Sequence, residues 1–175
     1  ARAFAEALTL LASVAGTLES ELLDLLLGKV RLAAGDARAA LTHLEAACAG
    51  PEPYYQARRL LPHALRATGR TEAARDALRA LVEHTLYPHA PLAQLAEWAW
   101  EDRDAPAALA QMATAIAAAP SHRRGRMRAR RAEWLASTGA RAAAEAELRL
   151  ALEEDPTYPR ARRELERLEE LDDEA

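Results

Sequence analysis

Apolar side chains recur along this chain at three- and four-residue intervals, with charged residues between them. Leu8, Leu11 and Val14 are spaced this way near the start, and Tyr158, Ala161, Leu165, Leu168 and Leu171 near the end. That interval is the period of a helix with one buried face. Ala and Leu supply most of the apolar positions and β-branched residues are scarce, a balance that favours helix over strand. The pattern predicts an all-α protein of about ten helices.

A phrase rich in small residues returns at a fixed distance. It reads Gly35-Asp36-Ala37-Arg38-Ala39-Ala40-Leu41, then Gly69-Arg70-Thr71-Glu72-Ala73-Ala74-Arg75. It returns as Arg103-Asp104-Ala105-Pro106-Ala107-Ala108-Leu109 and as Gly139-Ala140-Arg141-Ala142-Ala143-Ala144-Glu145. Successive phrases begin 34, 34 and 36 residues apart. A fixed period of this size means stacked helix–turn–helix units, each buried only against its neighbours.

Each phrase suits a turn between two helices. Gly35, Gly69 and Gly139 can end the first helix in the left-handed conformation, which glycine adopts without steric cost. Asp36, Thr71 and Asp104 can cap the second helix through a side-chain oxygen. Pro106 falls in a first turn, where its missing N–H costs little. Ala40, Ala74, Ala108 and Ala144 each stand five residues after the turn residue, where a small side chain lets two helices approach. Pro51, Pro88, Pro120 and Pro156 then close the second helices and start the links.

These features resemble the tetratricopeptide repeat, a family of 34-residue helical pairs with small residues at the crossing and proline at the exit. The best match is Leu27-Gly28 followed by Gly35, Ala40, Ala47 and Pro51. Leu95-Ala96, Ala108, Ala115 and Pro120 carry a further unit, and Ala132, Gly139, Ala144, Ala151 and Pro156 another. The weakest unit has Pro62 inside its first helix, where a kink is expected. The resemblance implies a right-handed α-solenoid of four repeats over 21–156, divided near 21–54, 55–88, 89–122 and 125–156. Residues 1–17 read as a half-repeat, and 157–175 as a capping helix with an acidic tail.

The resemblance also implies a concave groove lined by the first helix of each unit. That groove would carry Leu22, Leu25, Lys29 and Leu32, then Gln56, Arg59, His63 and Arg66. It would continue through Ala90, Gln94, Glu97 and Trp100 to Arg126, Arg130 and Glu133. Some members hold a peptide's C-terminal carboxylate with basic and amide side chains, and the matching positions here are Arg59, His63, Gln94, Arg126 and Arg130. Guanidinium forks suit that task because two parallel N–H donors meet two carboxylate oxygens. Trp100 is the aromatic anchor candidate on the same side, whereas Trp98 and Trp134 read as core. Tyr54, Tyr55, Tyr87 and Tyr158 read as wedges between units.

The segment His122–Arg131 holds six arginines in ten residues. Arg123, Arg126 and Arg130 share one helical face, and Arg124, Arg128 and Arg131 another. The charge surrounds the helix and does not form one stripe, and only 5% of the chain is aromatic. Stems packed on neighbours and heads paired to glutamates therefore fit better than a track for RNA or DNA. A net charge of −4 adds no general attraction to nucleic acid.

Catalytic, metal and cofactor chemistry find no support. His43, His63, His84, His89 and His122 lack metal-ligand spacing, and no phosphate loop or nucleophile elbow occurs. Cys48, the sole cysteine, reads as a small hydrophobe, and one cysteine cannot form an internal disulfide. No run of eighteen apolar residues occurs, so no spanning helix is expected. The first residues lack signal-peptide features, and the expected setting is cytoplasmic. Lys29 is the only lysine among 23 basic residues, which points to a GC-rich bacterial genome. The chain starts at Ala1 and not Met, which points to a fragment or processed product of a larger protein.

The sequence thus predicts a non-enzymatic scaffold that binds a peptide or partner protein in its groove. Two alternatives stand beside it. One is a structural module that self-associates through its N-terminal helix or docks within a larger chain. The other is an RNA-binding helical repeat.

Overall fold

The computed structural model describes residues 2–50 and 53–173, the last three as backbone. Ten α-helices occur among them: α1 (Arg2–Val14), α2 (Ser20–Ala33), α3 (Ala37–Cys48), α4 (Tyr55–Ala67) and α5 (Thr71–Glu83), then α6 (His89–Glu101), α7 (Ala105–Ala118), α8 (Ser121–Ser137), α9 (Arg141–Glu154) and α10 (Pro159–Asp173). A 3-10 turn, Ala15–Thr17, follows α1, and no strand occurs among the described residues. The all-α helical-repeat architecture expected from the sequence is the one observed. Pro51 and the tail beyond Asp173 lie outside the described residues, as does the side chain of Leu171.

Four turns of identical construction join α2 to α3, α4 to α5, α6 to α7 and α8 to α9. In each, one residue adopts the left-handed conformation: Gly35 (φ 83°), Gly69 (84°), Arg103 (64°) and Gly139 (83°). Its N–H donates three residues back, to the carbonyl of Leu32, Arg66, Trp100 or Ala136. The next N–H donates five residues back, from Asp36 to Arg31, Arg70 to Leu65, Asp104 to Ala99 and Ala140 to Leu135, at 2.9–3.0 Å. This paired closure satisfies carbonyls that the ending helix leaves open. The second donor also opens the next helix, because its own carbonyl accepts the first intrahelical bond, from Ala40, Ala74, Ala108 or Ala144.

That position carries an oxygen-bearing side chain in two turns. The Asp36 carboxylate accepts from the Ala39 N–H at 3.2 Å, and Asp104 from Ala107 at 3.1 Å. Thr71 was expected to do the same and does not. It is the first residue of α5, one place late, because the turn gives the capping position to Arg70.

The turns bring small side chains into register. Ala40, Ala74, Ala108 and Ala144 are wholly buried, as are Ala47, Ala115 and Ala151 further along the second helices. On the first helices Gly28, Pro62, Ala96 and Ala132 are also buried. Gly28 has no room for more, since a Cβ there would stand 2.7 Å from Leu44 Cγ. Close packing along these small-residue contacts replaces the large aromatic core that the composition withholds.

The chain divides into two compact units, residues 1–81 and 82–175. The first packs α1 on α2, α2 on α3, and α4 on both α3 and α2. Its core includes Leu25, Leu41, Leu44 and Leu65. The second packs α6 through α10, each on the next. One core cluster there gathers Ala96, Met112, Ile116 and Trp134, and another gathers Leu135, Leu148, Ala161 and Leu168 with Tyr158 against it.

Two expectations change at the level of side chains. Leu25, assigned to the groove, is a core residue with 4% exposure. Tyr87 does not wedge between helices but is 60% exposed in the link before α6. Pro62 lies inside its helix as expected: α4 runs on to Ala67, and the proline ring is fully buried. The ring's packing offsets part of the backbone hydrogen bond that proline cannot make.

The turns generate a prediction of opposite signs. A non-glycine residue in the left-handed region costs roughly 1 kcal/mol, which glycine avoids. Arg103→Gly should raise stability in urea unfolding by about 0.5 kcal/mol, and Gly69→Ala should lower it by about 1 kcal/mol.

Candidate binding surface

In the first unit, α4 carries Arg59 and His63 one turn apart on the same face. Arg59 is exposed and has no hydrogen-bonding or ionic partner among the described residues. His63 is half-buried. Burial, and then the charge of Arg59, hold its pKa below the ordinary histidine value.

In the second unit, α8 holds the arginine-rich segment, and packing sorts its six guanidinium groups. Arg128 and Arg131 converge on Glu147, which is only 8% exposed. Arg128 donates to it at 3.0 Å and to Glu154 at 3.2 Å, and Arg131 also donates to the Leu109 carbonyl. Arg124 donates to the Ala119 carbonyl at 2.8 Å. These three fasten α8 to its neighbours α9 and α7. A buried carboxylate is tolerated because two guanidinium groups neutralise it and satisfy its lone pairs.

Arg130 is occupied as well. Its Nε and Nη2 grip the two oxygens of Glu97 at 2.9 and 2.8 Å, and its Nη1 reaches Glu133 at 3.0 Å. Glu133 also meets Arg160 at 2.6 Å. A charge ladder, Glu97–Arg130–Glu133–Arg160, thus links α6, α8 and α10. The Glu97 fork raises the Arg130 pKa further, so the guanidinium stays charged. Its carbon also lies 5.3 Å from the ring centroid of Trp134.

Trp134 is 1% exposed and Trp98 4%, as expected of core residues. Trp100, the anchor candidate, lies nearly parallel to Trp134 with ring centroids 5.1 Å apart. One face of Trp100 is thereby committed, and its ring is partly buried. Gln94 lies on the same helix and is also partly buried. Arg126 and Arg123, in contrast, are exposed and have no partner among the described residues. The structure therefore separates the arginines that sequence reasoning had grouped: Arg130 is bound into the fold, and Arg126 is exposed.

The ladder was missed in the sequence, although a signal for it was present. Glu97 and Glu133 each stand six residues before the turn residue of their pair. Equivalent positions of stacked pairs lie close in space, so a repeated carboxylate invites a bridging cation. Cys48 is partly buried, and burial raises its thiol pKa, which makes it a poor nucleophile at neutral pH. Among the described residues no group of three or more His, Cys, Asp or Glu could hold a metal ion, and no helix is long and apolar enough to cross a membrane.

No protein-family profile and no curated protein sequence matches the chain. Among solved structures, it is similar to the C-terminal part of a TPR repeat-containing protein from Cytophaga hutchinsonii, with a TM-score of 0.72 and 12% identity. The similarity covers 89% of this chain and 61% of that one, so the chain spans less than two thirds of its neighbour's length.

The sorting of arginines predicts separable effects on stability. Arg130→Ala leaves Glu97 and Glu133 without their shared cation and should cost about 1–2 kcal/mol. Arg126→Ala removes no internal bond and should stay within about 0.5 kcal/mol of the parent in thermal or urea unfolding.

Proposed function

The chain has the fold of tetratricopeptide-repeat proteins, and from that premise we propose that it is a non-enzymatic scaffold that binds a peptide or partner protein. Its working units are the helical pairs near 21–54, 55–88, 89–122 and 125–156. Residues 1–17 act as a half-repeat and 157–175 as a cap. The contact residues are Arg59 and His63 on the first unit, and Gln94, Trp100, Arg126 and Arg130 on the second. Of these, Arg59 and Arg126 make the direct ionic contacts, and Arg130 holds Trp100's neighbourhood in shape through Trp134 and Glu97.

The observation that carries this reading is the contrast among the arginines. Three of the six on α8 fasten it to α7 and α9, and a fourth joins the charge ladder. Arg59 and Arg126 stay exposed on first helices with no internal partner among the described residues. Cations left open on packed helices are suited to an anionic ligand group, where a guanidinium fork adds both charge and direction.

A second reading rests on α1. That helix buries none of its residues, and Phe4 and Leu10 are 36% and 65% exposed. Exposed apolar side chains on a helix with no buried residue fit self-association or docking to another helix.

One experiment separates the two. A peptide array presents each sequence with a free C-terminal carboxylate and again as the amide, beside sedimentation of the protein at several concentrations. The scaffold reading predicts array binding that Arg59→Ala on the first unit or Arg126→Ala on the second weakens severalfold, with dependence on the free carboxylate where a guanidinium grips the chain end. Silence across the array with concentration-dependent mass would replace it with self-association through α1.

A further inference from the structure

The scaffold reading leaves the chemistry of the partner open, and a second group of side chains bears on it. His122 and Arg123 lie in the first turn of α8, near enough for their charges to act on His89, the first residue of α6. The Tyr87 ring meets His89 edge-on, with centroids 6.3 Å apart. His122, Arg123 and Arg126 line a cavity of about 200 Å³. The carboxylate in its lining, Asp155, accepts from the Thr157 N–H at 3.1 Å and the Thr157 hydroxyl at 2.8 Å. No acidic residue stands in the first turn of α8.

We propose that this edge of the second unit, built from Tyr87, His89, His122, Arg123 and Arg126, docks an acidic segment of a partner protein that also presents an apolar side chain. The proposal rests on the scaffold reading and specifies the partner.

Three arguments support it. The first is charge. Arg123 and Arg126 are exposed and unpaired among the described residues, whereas the other four arginines of the segment are held internally. Asp155 is the one carboxylate among the residues lining this cavity, against two arginines, and the excess positive charge shows at His89. Burial first, then the charges of Arg123 and His122, lower its pKa below the ordinary histidine value. An incoming carboxylate removes that repulsion.

The second is the neighbouring apolar surface. Leu86 is 91% exposed and Tyr87 60% exposed, on a short link directly before His89. A pair of large apolar side chains beside unpaired cations fits a segment with mixed acidic and apolar character. The third is size. Four of six arginines being consumed leaves a local patch and not a continuous basic track. A nucleic-acid backbone is held by a longer row of cations than the two open arginines of this edge. A short peptide segment needs only a few contacts.

The test uses the whole chain and three labelled probes in fluorescence anisotropy. They are a short Glu-rich peptide with one central Phe, the same peptide with Gln for every Glu, and a single-stranded oligouridylate. The proposal predicts that the Glu peptide binds, that the Gln peptide binds at least about tenfold more weakly, and that added salt weakens the Glu peptide further. Arg123→Glu with His122→Gln should reduce Glu-peptide binding about tenfold, and Arg123→Lys should largely retain it. Both changes touch exposed side chains, and circular dichroism checks the fold. Equal binding of the Glu and Gln peptides, or Glu-peptide binding unaffected by the double substitution, overturns the proposal. Tighter binding of the oligonucleotide that the double substitution abolishes overturns it in favour of nucleic acid. The double substitution spares Arg59 and Arg126. A ligand from the peptide array that still binds this variant, beside a Glu peptide that never binds, therefore sinks this inference and leaves the scaffold reading standing.

Discussion

Each helical pair depends on one constraint: a single left-handed residue must reverse the chain so that two helices meet along small side chains. The paired backbone closure at Gly35, Gly69, Arg103 and Gly139 fixes where the second helix starts. The alanine five residues later then has no freedom in where it points. It is wholly buried in all four pairs, and a larger side chain there would push the helices apart. The low aromatic content becomes intelligible on this basis. The fold gains its interior from close approach and not from bulk.

Most of this was legible in the chain because turns and small residues recur at fixed offsets. The period located the turns, the glycines named their conformation, and the alanines marked the crossing. Arg103 was legible only through the period, because nothing local marks an arginine as left-handed. The fate of individual polar side chains was less visible. Arg126 and Arg130 lie one helical turn apart and look alike in sequence, yet one is exposed and the other grips Glu97 from α6. That difference is set by which helix packs alongside, a tertiary fact that helical spacing does not encode. Thr71 shows the same limit on a smaller scale. Its hydroxyl suits a cap, but the geometry of the turn assigns the cap to the residue before it.

The functional account follows from a division of labour among like residues. Arg124, Arg128 and Arg131 hold α8 against its neighbours, and Arg130 joins the ladder across α6, α8 and α10. Arg59, Arg123 and Arg126 are left to solvent. The net charge of −4 gives no general attraction to polyanions, while these exposed cations are the local exception. On the function proposed above, these cations are the ones that would meet short acidic features of a protein partner.

The most direct test of that division is residue-by-residue reactivity of the arginines toward a dicarbonyl reagent, read by mass spectrometry on the native chain. The account predicts fast modification of Arg59, Arg123 and Arg126 and slow modification of Arg128, Arg130 and Arg131, with the difference lost on unfolding. Equal reactivity across the segment in the native state would contradict it, because the packed and the available guanidinium groups would then be one population.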